Sequence, residues 1–306
     1  MKISIKLIFL FFLLKSIVCN SDEYTKDIMQ SSFITFNEKN YNKITFQNEI
    51  ENTEISKKLL FIYTPGSLND DRMDGICSTY NEFAYLSEIF YKLKNNFDYY
   101  FYLNCTNNIQ GDMKIPNASN FPFPYQGISK HEKIRKSLKN LIDKFKNNGF
   151  KTENIFLIGH SCGAWHSLYL VSQNKDLVNS IIAFSPSCYG PRYLYFQRRG
   201  FLKHRKQDIK KISNSLSIPS LIFISPDDIR ENHMTLKWLK KIKGVKIIKT
   251  IKKKNKEYYF ENNLCVFHAD ENIKEFSILD GHNLHFSKCF NKYNDDIYNF
   301  IKLRVG

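Results

Sequence analysis

Apolar positions along this chain fall into short blocks whose period switches between two and about 3.6, and the switching recurs along most of its length. Residues 43–47 and 59–63 are brief apolar or alternating runs of strand length, the second ending at Thr64-Pro65-Gly66. Over 82–93, Phe83, Leu86, Ile89, Phe90 and Leu93 recur every three or four residues, which predicts an amphipathic helix, and 99–103 then reads as a strand. Ser129-Lys130-His131-Glu132 has capping-box spacing, with one apolar stripe behind it through Ile134, Leu138, Leu141, Ile142 and Phe145. A β-rich run at 154–158 feeds Gly159-His160-Ser161-Cys162-Gly163, and a helix is predicted at 164–173. Continuous apolar runs at 180–184 and 220–224 have the character of strands covered on both faces. Helices are predicted at 231–242, through Met234, Leu236, Leu239 and Ile242, and at 295–303, through Ile297, Phe300 and Ile301. This alternation predicts an α/β fold, a mostly parallel, doubly wound sheet flanked by helices.

The N-terminus stands apart from that pattern. Lys2 and Lys6 precede an apolar run at 7–14 that is too short to span a bilayer, and the chain turns polar at Asn20, so residues 1–19 read as a secretory signal peptide. Residues 20–306 are then expected to form one domain, exported to a periplasm or outside the cell. Removal of Cys19 leaves Cys77, Cys105, Cys162, Cys188, Cys265 and Cys289, an even number that suits disulfides in an oxidising compartment. Cys162, at the start of a buried helix, is expected to stay reduced. The spacings contain no C-x-x-C pair, so no metal site is expected. The formal charge of +15 comes from Lys and Arg scattered along the chain rather than gathered in a patch, and it does not call for nucleic acid.

The chemistry concentrates at Gly159-His160-Ser161-Cys162-Gly163. G-x-S-x-G places a serine where a strand turns sharply into a helix and lifts its hydroxyl above the sheet, and the flanking pattern here supplies both strand and helix. A serine hydroxyl needs a base to take its proton and a third group to orient that base. Downstream, the stretch 218–226, which contains the strand at 220–224, delivers Asp227 and Asp228 at its carboxyl end, either of which could also serve as a turn residue or helix cap. Later, Asp280-Gly281-His282-Asn283-Leu284-His285 precedes the last helix. His160, His166 and His268 read as structural.

With this elbow and this order of elements the chain resembles the α/β-hydrolase superfamily, and most closely its dienelactone-hydrolase and esterase-like branch. Dienelactone hydrolases place cysteine where Ser161 stands; here the cysteine comes one position later. The resemblance implies a serine hydrolase that cleaves an ester or related acyl bond through an acyl-enzyme on Ser161, with Asp228 as the acid and His282 as the base. Asp227 and His285 are the alternatives. It also implies an oxyanion hole from the backbone N–H groups of Cys162 and Ser67, although Pro65-Gly66-Ser67 departs from the family's His-Gly at that place. No cofactor is expected, and the partner is a small-molecule or lipid-like acyl substrate. Residues 188–217 occupy the position of a short lid whose Arg and Lys could touch a membrane surface; an exposed helix with a solvated face is the preferred reading, because charge runs usually lie at the surface. A serine peptidase of the same fold and a catalytically silent binding protein on the same scaffold are the competing readings.

Overall fold

The structure, a computed structural model, describes residues 32–36, 41–44, 55–66, 84–104, 124–194, 199–254, 257–261, 263–265 and 280–306. The 1–19 segment, Ser67, Cys77, Cys105 and His268 lie outside them.

Among the described residues eight strands form one sheet: β1 (Ser32–Phe36), β2 (Tyr41–Ile44), β3 (Leu59–Thr64), β4 (Tyr99–Leu103), β5 (Ile155–His160), β6 (Ser180–Phe184), β7 (Ser217–Ile224) and β8 (Lys243–Lys249), in the order β2-β1-β4-β3-β5-β6-β7-β8. From β4 to β8 all neighbours are parallel, while β1 runs antiparallel to both β4 and β2. Every residue of β3, β5 and β6 is buried, which is why these strands read as continuous apolar runs.

Among the described residues five helices cover the sheet: α1 (Ala84–Lys94), α2 (Pro124–Asn147), α3 (Ser161–Gln173), α4 (Arg199–Ser213) and α5 (Asn294–Val305). Successive strand side chains point to opposite faces. Phe61 and Tyr63 of β3 therefore join a core with α1 and α5, whereas Leu60 and Ile62 join a second core with α2, α3 and α4. Trp165, Phe61, Phe156 and Phe223 are almost fully enclosed, and each contributes about 1.5–3 kcal/mol by leaving water.

Two expectations need correction, and one strand was not foreseen. Ser129 to Glu132 does not cap a helix, because α2 already begins at Pro124, a residue well suited to a first helical turn. The α-helix expected over 231–242 does not form: Asn232 Oδ1 accepts from the N–H groups of Met234 (3.0 Å) and Thr235 (3.2 Å), a local turn that competes with helix. Only a 3₁₀ segment, Lys237–Lys241, remains, and Met234 points outward, 59% exposed. The strand β8 escaped the apolar pattern because it is an edge strand interrupted by Lys243, Lys246 and Lys249.

In the 188–217 region, α4 packs down on the core. Its Asp208 is buried and accepts from Trp165 Nε1 of α3 (2.9 Å), from the Tyr189 hydroxyl (2.5 Å) and from the Arg135 guanidinium of α2. Arg205 forms a two-pronged pair with the fully buried Glu231, so this part of the basic run points inward. Among the described residues no helix is long and apolar enough to cross a membrane.

Candidate active site

The turn from β5 into α3 sets the geometry. Ser161 is the first residue of α3 and has φ of +51°, a left-handed conformation that costs a non-glycine residue about 1–2 kcal/mol. Such strain concentrates at functional sites. The two glycines of the motif serve close approach rather than the left-handed turn itself. A Cβ on Gly159 would stand 2.6 Å from the Ala164 nitrogen, and one on Gly163 would collide with the carbonyl oxygen of Thr64 at the end of β3. Gly66 lies against the serine as well, since a Cβ there would come within 2.8 Å of Ser161 Cβ.

Two loops at the carboxyl ends of the strands meet this serine, as expected of a site in an open parallel sheet. His282 sits in a 3₁₀ segment, Gly281–Phe286, whose N-cap Asp280 accepts from the His282 N–H at 3.0 Å and pairs with Arg230 at 2.9 Å. His282 Nε2 lies 2.8 Å from Ser161 Oγ, and His282 Nδ1 lies 2.8 Å from Asp228 Oδ2. Asp228 is fully buried just beyond β7, and its other oxygen accepts from the N–H groups of Arg230 (2.7 Å) and Glu231 (3.2 Å). The Ser161 hydroxyl also lies 3.2 Å from the Ser187 carbonyl, an acceptor that can hold it in the resting state.

Burial acts on both partners of the imidazole. It raises the Asp228 carboxyl above the usual carboxylate range, while the two backbone N–H groups and the charges of Arg230 and Arg192 pull the other way. It lowers the His282 imidazole, and Arg230 adds to that effect. The imidazole is therefore held neutral, with one nitrogen facing a carboxylate oxygen and the other a hydroxyl. That arrangement can pass a proton from the serine to the histidine.

The alternatives lie elsewhere. Asp227 accepts from the Lys253 N–H at 2.7 Å and belongs to a different loop contact. His285 is buried among rings, stacked on Phe184 at 5.3 Å and against His160 at 4.1 Å. His160 packs beneath the pair, with its Nε2 3.3 Å from the His282 carbonyl. Cys162 corrects an expectation, for it is paired with Cys188 across a Cα separation of 4.2 Å rather than standing as a free thiol. A second pair, Cys265–Cys289, brackets the His282 loop. The supporting residues Asp280, Arg230 and Glu231 escaped the sequence reading; their only signal was proximity to His282 and Asp228.

Residues 124–213, which include the elbow, match the model of the phospholipase/carboxylesterase family. The chain has the mostly parallel, helix-flanked sheet of the α/β-hydrolase fold. No curated protein matches this chain. Among solved structures it is similar to Est1E from Butyrivibrio proteoclasticus with ferulic acid bound, at 14% identity over 64% of this chain and 80% of that one, with a TM-score of 0.42. It is also similar to the Pyrococcus furiosus esterase Pf2001, at 12% identity over 83% and 86% with a TM-score of 0.44. The butyrate-bound esterase Est2 of Thermogutta terrifontis gives 11% identity, the same coverage and a TM-score of 0.46.

Proposed function

We propose that this α/β-hydrolase is a serine hydrolase that cleaves an ester or related acyl bond through an acyl-enzyme on Ser161. The observation that carries the reading is one buried imidazole set between hydroxyl and carboxylate, at 2.8 Å from each. Ser161 Oγ attacks the substrate carbonyl as His282 Nε2 takes its proton, and Asp228 stabilises the imidazolium and holds its Nδ1–H. The backbone N–H groups of Cys162 and Ser67 would receive the oxyanion. His282 then protonates the leaving group, and water, activated by the same imidazole, releases the acid and restores the serine. The family match over 124–213 supports an ester among acyl substrates, small or lipid-like. We assign the chain to an oxidising compartment, a reading supported by the Cys265–Cys289 pair.

The test is labelling of the purified protein with a fluorophosphonate probe. Wild type should label and Ser161→Ala should not. A folded wild type that never labels would leave the scaffold as a binding protein and sink the proposal.

A further inference from the structure

On the other side of the elbow, four ligand-type side chains from three segments turn toward one point. His131 comes from α2, Cys162 and His166 from one face of α3, where their four-residue spacing aligns them, and Cys188 from the loop after β6. His131 Nδ1 and His166 Nε2 are 3.3 Å apart. Cys162 Sγ lies 3.3 Å from His166 Nε2 and 3.9 Å from His131 Nδ1. Cys188 Sγ lies 3.3 Å from His131 Nδ1 and 3.6 Å from His166 Nε2.

These spacings are those of a small coordination shell. For tetrahedral zinc, bond lengths of about 2.05 Å to nitrogen and about 2.3 Å to sulfur give a nitrogen–nitrogen edge of about 3.3 Å and sulfur–nitrogen edges of about 3.5 Å. All five edges of the cluster that involve a nitrogen fall on or near that template. The sixth edge, sulfur to sulfur, is the one closed by the covalent pair. Cys162 and His166 are buried, and four protein ligands would leave no open position, the pattern of a structural rather than a catalytic metal.

We propose that His131, Cys162, His166 and Cys188 form a Cys₂His₂ zinc site when the cysteines are thiols, and that disulfide and metal are alternative states of the same four residues. A dithiol reductant gives two electrons and two protons to the Cys162–Cys188 bond and leaves as its own cyclic disulfide. Zinc then binds two thiolates and two imidazole nitrogens and releases one proton from each thiol. Arg135 Nε lies 3.2 Å from His166 Nδ1, and a guanidinium can only donate, so the metal-free ring carries its proton on Nε2. Zinc on that nitrogen would need the ring's proton on Nδ1, so the Arg135 contact opens as the ion binds and the only protons released are the two thiol protons. The ion would tie the elbow to α2 and to the loop after β6 without entering the reaction, so the site stands apart from the function proposed above.

Anaerobic titration of the phosphine-reduced, folded protein with Co²⁺ tests this. One ion per chain should bind, with the near-ultraviolet thiolate-to-cobalt charge transfer and the intense visible bands of a tetrahedral site, and Zn²⁺ should displace it. Cys188→Ser and His131→Gln should each weaken binding by more than ~100-fold, beyond what loss of an outer hydrogen-bond partner costs. The oxidised protein should show no such bands. A reduced, folded chain without them, a spectrum that survives both substitutions, or equal binding by the oxidised chain would each overturn the site.

Discussion

Ser161 and Cys162 are neighbours, yet their side chains enter two different clusters built on different principles. The serine meets residues delivered by the carboxyl ends of strands, with Asp228 just past β7 and His282 in a loop before the last helix. The cysteine meets residues from helix flanks and from the loop after β6. The first arrangement follows from strand order, so a linear reading can reach it. The second depends on how α2 lies across α3, which no spacing in the chain announces.

The sharpest way to separate the two clusters is to remove the proton relay alone. Ser161→Ala should cut turnover by about 10⁴-fold or more, measured as kcat/KM on short-chain esters, with thermal unfolding little changed. Asp228→Asn should cost turnover on a similar scale, about 10⁴-fold, because the imidazole loses its orienting acceptor. Asp227→Ala, by contrast, should lose only the bond to the Lys253 N–H, about 1 kcal/mol of stability, and keep its rate. Either aspartate giving the other's result would reverse the assignment.

Stability resolves the next tier. His285→Ala should remain active but unfold more easily, by about 3 kcal/mol in denaturant, since it empties a ring position between Phe184 and His160. Ser161→Gly should be inactive yet gain about 1 kcal/mol, because glycine carries no left-handed penalty at φ of +51°. The smallest effect is on pH. Burial lowers the His282 imidazole, which keeps it unprotonated as pH falls, so the acid limb of the kcat/KM profile should lie below the ordinary 6.5. A limb at or above that value would mean that the base is not held neutral by burial.

How much of this was legible depended on burial and local competition. Strands covered on both faces, such as β5 and β6, announce themselves as apolar runs, and Tyr99–Leu103 and Ser180–Phe184 agree with their expected bounds. The edge strand β8 did not, since lysines share its solvent-exposed positions. At the site, G-x-S-x-G and the order serine, aspartate, histidine pointed to residues that the fold joins. Between the adjacent aspartates the resemblance preferred Asp228 and kept Asp227 as the alternative; in the fold the Asp228 carboxylate turns to the imidazole and Asp227 to the Lys253 backbone. His131 was obscured because its tetrapeptide looked like a helix start, whereas it lies inside a helix that begins at Pro124. The expectation of a reduced Cys162 failed because burial of a thiol says nothing about what else is buried beside it.

The Cys265–Cys289 pair closes a covalent ring around His282. A protease that cuts the backbone once between these cysteines would not release the histidine-bearing segment; the nicked chain would stay one molecule until reduced. Electrophoresis with and without reductant would therefore report two different sizes for the same clipped protein, and any activity that outlives clipping should vanish on reduction.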